Sequence, residues 1–399
     1  MQVLRWIPGG FLALTVLSPA AFAADQPGQM HQVKASDLPK PFATPAVENS
    51  SQRVARPKDA MPHVPKGFSI SVFASGLTDA RWLALAPNGD VFVSQPDEGR
   101  ISVLHDGKAS VFASGGFNRP HGLAFHDGAL YVGDLIAVWK LGYSDGALHE
   151  GMRSRVTKDG FGPLGGHFSR DIAFDRTGAL YVAIGSMSNV DEEKPPRATV
   201  QKVDAQGHLS TFASGTRNPV GIVLQPGTND LYITVNERDG YGDALVPDYF
   251  TRIQQGDFYG WPYAYSGPNP DPDFGKKRPD LVAKTKVPDV MFQAHSAPLG
   301  IAFYDGRQFP ADYGGDAFVS LHGSWNSGRP TGYKVVRVKF AHGRPTGAYQ
   351  DFVTGFWDGT SSPARVWGRP VGLAVARDGS LLIADDVGGT IWRVAYTGK

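Results

Sequence analysis

The chain reads as an all-β protein, a six-bladed β-propeller with four-stranded blades, on three observations. Its 399 residues hold 49 glycines and 30 prolines but only 19% charged residues, a turn-rich composition that suits short strands. Short apolar runs, Val91-Phe92-Val93, Leu130-Tyr131-Val132, Leu180-Tyr181-Val182, Leu231-Tyr232-Ile233 and Leu381-Leu382-Ile383, each follow an Asp-Gly, Asn-Gly or similar turn. That is the pattern of β-hairpins. Finally, one strand phrase recurs. It stands as Pro120-His121-Gly122-Leu123-Ala124-Phe125, Arg170-Asp171-Ile172-Ala173-Phe174, Pro219-Val220-Gly221-Ile222-Val223-Leu224, Pro298-Leu299-Gly300-Ile301-Ala302-Phe303 and Pro370-Val371-Gly372-Leu373-Ala374-Val375, with a weaker copy at Arg81-Trp82-Leu83-Ala84-Leu85. Repetition at this spacing, with a small residue where blades crowd an axis, is the mark of a propeller. A β-sandwich built from the same strands would leave the repetition unexplained.

Taken in order, residues 1–23 read as a signal peptide. Arg5 supplies the positive start, Phe11 to Leu17 the apolar stretch, and Ala21-Phe22-Ala23 the small-x-small cleavage site. The apolar stretch is too short to span a bilayer as a helix, no later run is longer, and a periplasmic location is expected. Residues 24–65, rich in Pro, Ala, Gln, Ser and Lys and without an apolar period, read as an extended arm. Residues 66–399 form the propeller, with Ile70 to Phe73 expected to close the ring against Thr390 to Tyr396.

Composition excludes several functions. A hydrophobic content of 41% excludes a disordered chain. A net charge of +1 offers no electrostatic case for nucleic acid or an acidic membrane. The absence of cysteine excludes disulfides, thiolate metal sites, a cysteine nucleophile and a covalently attached c-type haem.

Loops that enter innermost strands line one mouth of a propeller channel. Here they carry Asn118, Arg119 and His121, then His167 and Arg170, Arg217 and Asn218, His295, and Arg369; His322 and Trp325 follow the strand Ala317 to Leu321. A local ring of guanidinium and imidazole groups in a nearly neutral protein suits a small polyanion with planar carboxylates. The competing reading pairs each arginine with an aspartate across a blade boundary. His167, flanked by Gly165-Gly166, is the best candidate for a general base. The turn Val235-Asn236-Glu237-Arg238-Asp239-Gly240 offers oxygen ligands that suit a hard cation, though its spacing alone favours a solvated turn.

These residues carry a family resemblance. Gly166-His167-Phe168-Ser169-Arg170, Ile184-Gly185-Ser186, Thr216-Arg217-Asn218-Pro219-Val220-Gly221, Val235-Asn236-Glu237-Arg238-Asp239-Gly240, Phe258-Tyr259-Gly260-Trp261-Pro262 and Leu321-His322-Gly323-Ser324-Trp325-Asn326 together resemble the soluble PQQ-dependent sugar dehydrogenases. The family is that of glucose/sorbosone dehydrogenases, and the sorbosone dehydrogenase-like branch is the nearer match. The resemblance implies pyrroloquinoline quinone (PQQ) over the channel mouth and His167 as general base. It implies Arg217 and Asn218 at the quinone oxygens, and Arg369, His322 and Trp325 on the cofactor. It also implies a calcium ion at the loop of Glu237 and Arg238. Arg119 and His121 join the cofactor-binding set from the cationic ring. His322 stands where the glucose enzymes have a lysine. Ser186 stands where they have an aspartate that orients the base, and Asp171 is one candidate substitute.

The expected activity is oxidation of an aldose-like sugar or an aldehyde hydrate at the C1 hydroxyl by hydride transfer to PQQ, with electrons passed to a separate acceptor. The alternatives are a propeller lactonase or other hydrolase with a channel metal, and a non-catalytic binding scaffold.

Overall fold

The computed structural model describes residues 24–105 and 107–398; the segment read as a signal peptide, 1–23, lies outside them. Six antiparallel sheets succeed one another along the chain as blades 1 to 6 around a common axis. Their innermost strands are Leu83–Leu85, Leu123–His126, Ile172–Phe174, Asn218–Leu224, Pro298–Phe303 and Pro370–Val375, so every copy of the repeated phrase falls on an innermost strand. The ring closes as the sequence predicts, over a longer stretch: Phe68–Ser75 pairs with Thr390–Tyr396, with Ile70 opposite Val394.

Four strands per blade holds for four of the sheets. Blade 5 gains Met30–His31 on its outer edge, with Met30 opposite Gln350, and blade 3 gains Asp257–Phe258 in parallel. Both additions cover edges that would otherwise present unpaired backbone groups.

The second strand of each blade is covered on both faces by neighbouring blades. Phe92, Val132, Val182, Ile233, Val319 and Ile383 accordingly have no exposed surface. This is why those runs read as continuous apolar stretches rather than as alternation. Near the axis the approach is closer still. A Cβ on Gly300 would stand 2.2 Å from the carbonyl oxygen of Val371 in the next blade, a distance no side chain tolerates.

Hydroxyls tie blade to blade beside these contacts. Ser94 Oγ donates to the His121 carbonyl at 2.7 Å, Thr234 Oγ1 to that of Leu299 at 2.6 Å, and Ser320 Oγ to that of Val371 at 2.5 Å. Each hydroxyl also accepts a backbone N–H of its own blade's innermost strand, from Trp82, Gly221 and Gly300. Both hydrogen-bonding capacities are therefore satisfied in the buried interior.

The arm is ordered along the molecule. After Met30–His31, Phe42 N–H donates to the Tyr241 carbonyl, Gln52–Arg53 pairs in parallel with Arg365–Val366, and His63 bridges to Thr354. Among the described residues no helix is long and apolar enough to cross a membrane.

Candidate active site

Innermost strands begin, and second strands end, at the same face, so both kinds of loop converge on one mouth. There a cavity of about 510 Å³ opens. His167, Arg217, Asn218, Glu237, His322, Trp325 and Arg369, all singled out from the sequence, line it together with Arg81 and Asp239.

His167 is fixed by its own blade. Nδ1 lies 2.9 Å from the Ser186 carbonyl oxygen and 3.1 Å from Ser186 Oγ. A carbonyl only accepts, so Nδ1 carries the proton and Nε2 keeps its lone pair. Ser186 Oγ in turn donates to the Ser188 carbonyl at 2.6 Å, which leaves its own lone pair toward the imidazole. Ser186 therefore does the orienting that the sequence resemblance would give to an aspartate at this position. Asp171 does not. Its carboxyl accepts N–H groups from Ile172 and Ile222, both at 2.9 Å, and burial pushes it up to about 8. Burial, then the charge of Arg217, lowers the His167 pKa to about 3, so the imidazole is neutral at pH 7.

Asn218 stands beside it. A Cβ on Gly185 would lie 2.4 Å from Asn218 Oδ1 and 2.7 Å from His167 Cβ, so glycine at 185 allows the two side chains to share one wall. The Oδ1 atom is buried without a partner, and Nδ2 makes no side-chain hydrogen bond among the described residues, so its N–H groups remain for a ligand.

Arg217 lines the cavity but is heavily engaged. It donates to the Asn189 carbonyl at 3.1 Å, the Glu237 carbonyl at 2.7 Å, Asn189 Oδ1 at 2.9 Å and Asp239 Oδ2 at 2.7 Å. Contact with a ligand requires it to release one of these.

The opposite wall holds Arg369, Arg81 and His322. Arg369 donates to the carbonyls of His322 at 2.8 Å and Gly323 at 2.6 Å, which leaves Nη1 without a described acceptor. Arg81 binds Asp386 through Nη1, and its Nε is buried without a partner. His322 Nε2 lies 3.0 Å from both Asp386 oxygens. Burial, then Arg369, lowers the His322 pKa to about 4, so the neutral ring donates its one N–H to Asp386 and has none for a carboxylate. Burial alone would raise Asp386, but His322, Arg81 and Arg369 hold its carboxyl well below the usual range. In place of His322, Arg81, braced by Asp386, stands with Arg369 as a cation of this wall.

Five of the residues named from the sequence, Asn118, Arg119, His121, Arg170 and Arg238, do not line the cavity. Arg119 projects outward, pairs with Asp97 at 2.8 Å and covers the Phe168 ring at 3.9 Å. His121 is fully buried against Trp82, with ring centroids 4.4 Å apart, and burial takes its pKa well below the ordinary value. Arg238 is fully buried behind the mouth, donating to Glu237 Oε2 at 3.0 Å, Asp271 Oδ2 at 2.7 Å and the Pro262 and Ala264 carbonyls. For Arg119 the competing ion-pair reading across a blade boundary is the one the geometry favours.

The residues the sequence reasoning missed had a signal. Arg81 occupies the repeat position that His121 and Arg170 hold in blades 2 and 3. Asp386 follows the second strand of blade 6, as His322 follows that of blade 5.

The oxygen-rich lip suits a cation in part. Glu237 Oε1 is buried without a partner. Asp248 accepts the N–H groups of Glu237 and Ala297, both at 2.8 Å, and burial, aided by Asp239 and Glu237, pushes it up to about 7. Among the described residues no three His, Cys, Asp or Glu side chains converge as a complete cage. A cation here needs further ligands from a bound cofactor or water, and the Glu237 carbonyl becomes available when Arg217 lets it go.

Fold and mouth together define a class: a β-propeller whose strand ends build a histidine-bearing, arginine-lined cavity. Residues 156–325 match the glucose/sorbosone dehydrogenase family and residues 276–397 a TrAA12-like family. The chain is similar to an uncharacterized protein of Borreliella burgdorferi, at 29% identity over 349 residues, covering 84% of this chain and 90% of that protein. It is also similar to the aldose sugar dehydrogenase YliI of Escherichia coli, at 29% identity over 174 residues, 37% of this chain and 43% of that protein. The holo PQQ domain of pyranose dehydrogenase from Coprinopsis cinerea has the same fold, with a TM-score of 0.70 at 20% identity over 87% of this chain and 99% of that one. The match over residues 156–325 agrees with the resemblance read from the sequence.

Proposed function

We propose that the protein is a PQQ-dependent dehydrogenase that oxidises an aldose-like sugar, or the hydrate of an aldehyde such as sorbosone, at the C1 hydroxyl. The observation that carries this reading is His167: a neutral imidazole with Nδ1 tied to the Ser186 carbonyl and Nε2 left to the cavity, beside the free amide of Asn218. The relatives named as sugar dehydrogenases and the PQQ domain of the structural neighbour support it.

PQQ has three carboxylates and, when bound, supplies the two-electron acceptor for the hydride from C1. The residues fit such a group. Arg81 Nε and Arg369 Nη1 are unspent guanidinium donors suited to its carboxylates. Asn218 and, once freed, Arg217 would face its carbonyl oxygens, and Trp325 would flank it at the rim. His167 Nε2 accepts the C1 hydroxyl proton, and the Ser186 carbonyl stabilises the imidazolium so formed through Nδ1–H. Glu237, with the carbonyls of its loop and that of Arg238, would take the calcium ion. The electrons leave to a separate quinone or cytochrome acceptor, and the signal-peptide reading of residues 1–23 supports a periplasmic setting for this chemistry.

Metal-stripped protein titrated with PQQ and calcium, then assayed with reducing sugars and an artificial electron dye, tests the reading. The expected result is stoichiometric PQQ uptake and dye reduction that needs both additions. Absence of PQQ binding together with absence of dye reduction overturns it.

A further inference from the structure

His167 stands on a turn with little stiffness of its own. Gly165 and Gly166 precede it at φ +110° and +62°, left-handed backbone that glycine adopts freely and holds only at an entropic cost. The hold comes from outside the turn. Arg197 lies just ahead of the third strand of blade 3, Thr199–Val203, and is almost fully buried. Its Nη1 donates to the Gly185 carbonyl at 3.1 Å, and its Nη2 to the Gly165 carbonyl at 3.1 Å and to that of Pro163. Gly185 precedes Ser186, whose carbonyl and hydroxyl fix the imidazole. One planar guanidinium thus spans the two segments whose separation sets where the ring sits. Those segments are in close contact, since a Cβ on Gly166 would stand 2.6 Å from the Ser186 carbonyl oxygen. Arg170 works on the residue itself, with Nη1 donating to the His167 carbonyl at 2.8 Å and to that of Ser169 at 2.7 Å.

These two arginines are costly for a purely structural role. Each Nε is buried without a partner, and among the described residues neither guanidinium donates to a carboxylate. Glu193, the acidic group that acts on Arg197, spends its oxygens on the N–H groups of Met187 and Ser188. A buried charge without a counter-charge is unfavourable, and neutral groups of the same shape would serve stability better. The expense falls beside the base. Together with Arg217 of blade 4, Arg170 and Arg197 surround the imidazole with positive charge, which disfavours its protonated form.

We propose that Arg197 is a positioning residue for the general base, with Arg170 as its counterpart: it locks the turn that ends at His167 onto the Gly185-Ser186 segment that orients the ring. The inference rests on the dehydrogenase reading for the proton that His167 takes, and on the hydrogen bonds above for the clamp itself.

The test compares Arg197→Gln and Arg197→Lys with the wild type in the full-length chain. Lysine keeps the charge but, as a point donor, cannot span both carbonyls; glutamine lacks both charge and span. With PQQ and calcium loaded, kcat is expected to fall about 100-fold in Arg197→Gln and about tenfold in Arg197→Lys, with PQQ uptake and the KM for sugar unchanged. The inflection of the base in kcat/KM should move to higher pH in Arg197→Gln and stay in place in Arg197→Lys. Nitrogen NMR of His167, recorded without cofactor or sugar, should show the single Nδ1–H tautomer in the wild type and a mixture in Arg197→Gln. Equal falls in kcat in both variants, with the wild-type tautomer and pH profile kept, mark a structural role alone and overturn the clamp. Wild-type kcat and tautomer in Arg197→Lys overturn it too, and that variant decides the matter where Arg197→Gln does not fold. The NMR readout also separates the two proposals. A tautomer mixture in Arg197→Gln without oxidation of any sugar by the wild type sustains the clamp and overturns the dehydrogenase reading. Sugar oxidation with the tautomer unmoved in Arg197→Gln does the reverse.

Discussion

In the proposed reaction His167 concentrates the proton chemistry in one ring nitrogen. Burial and the neighbouring Arg217 place its pKa near 3, so protonation does not remove the proposed base until well below the usual histidine range. The sign is that of a depressed base: Nε2 is competent above the folded pKa and is lost only as pH falls toward it. The kcat/KM of the loaded enzyme should therefore show no inflection near pH 6.5; a one-proton fall centred at 6.5 would contradict it. His167→Ala should lower kcat by about 10²- to 10⁴-fold while PQQ uptake is retained, and absorbance titration of the cofactor checks the second half. The His167 position was legible because its flanking phrase is distinctive. Its partner was not, since the bond runs to the backbone carbonyl of Ser186, and a carbonyl leaves no trace in residue identity. At Arg238 the sequence reading concerns the backbone carbonyl, and the side chain goes its own way. The residue adjoins Glu237 in sequence, yet its side chain turns away from the cavity to meet Asp271.

At the scale of elements, the strand Phe68–Ser75 acts as the clasp of blade 6. Phe68 anchors it, meeting Phe309 at 4.8 Å, Phe352 at 5.1 Å, Tyr396 at 5.1 Å and Tyr313 at 5.3 Å between ring centroids. These are edge-on or tilted contacts of the favourable kind. Phe68 is only partly buried, so Phe68→Ala should cost about 2 kcal/mol, less than a fully buried ring, read as a lowered midpoint in urea unfolding with an unchanged slope. The pairing was legible from the apolar run at Ile70 to Phe73 and its mate at the C-terminus. The added edge strands were not. Met30–His31 and Asp257–Phe258 are two residues long, too short to show any alternation, and the backbones they pair with choose them.

For the whole molecule, the packing of six blades around one axis sets the tolerance for bulk. At Gly300 the missing side chain is what allows blade 5 to touch blade 6, with Val371 O where a methyl would stand. Gly300→Ala should destabilise the protein by about 3 kcal/mol through overpacking. Thermal unfolding should register this loss, while the equivalent change at Gly160, with open space around it and no left-handed backbone, serves as the reference. The repeated glycine phrase made this architecture readable from residue order alone. The hydroxyl ties of Ser94, Thr234 and Ser320 were not readable, because serine and threonine inside apolar strands carry no periodic signal and their purpose appears only when the next blade is in place. The same limit hid Arg81 and Asp386, which come from blades 1 and 6 and meet only in the closed ring.

That closure also fixes an order in time. Phe68–Ser75 leaves the ribosome more than 300 residues ahead of Thr390–Tyr396, its partner strand in blade 6. Throughout synthesis it is an open edge, able to pair with any other unpaired strand. The wall that holds Arg81 against Asp386 cannot exist until the closing strand arrives. The strand Thr390–Tyr396 therefore completes the cavity as well as the fold.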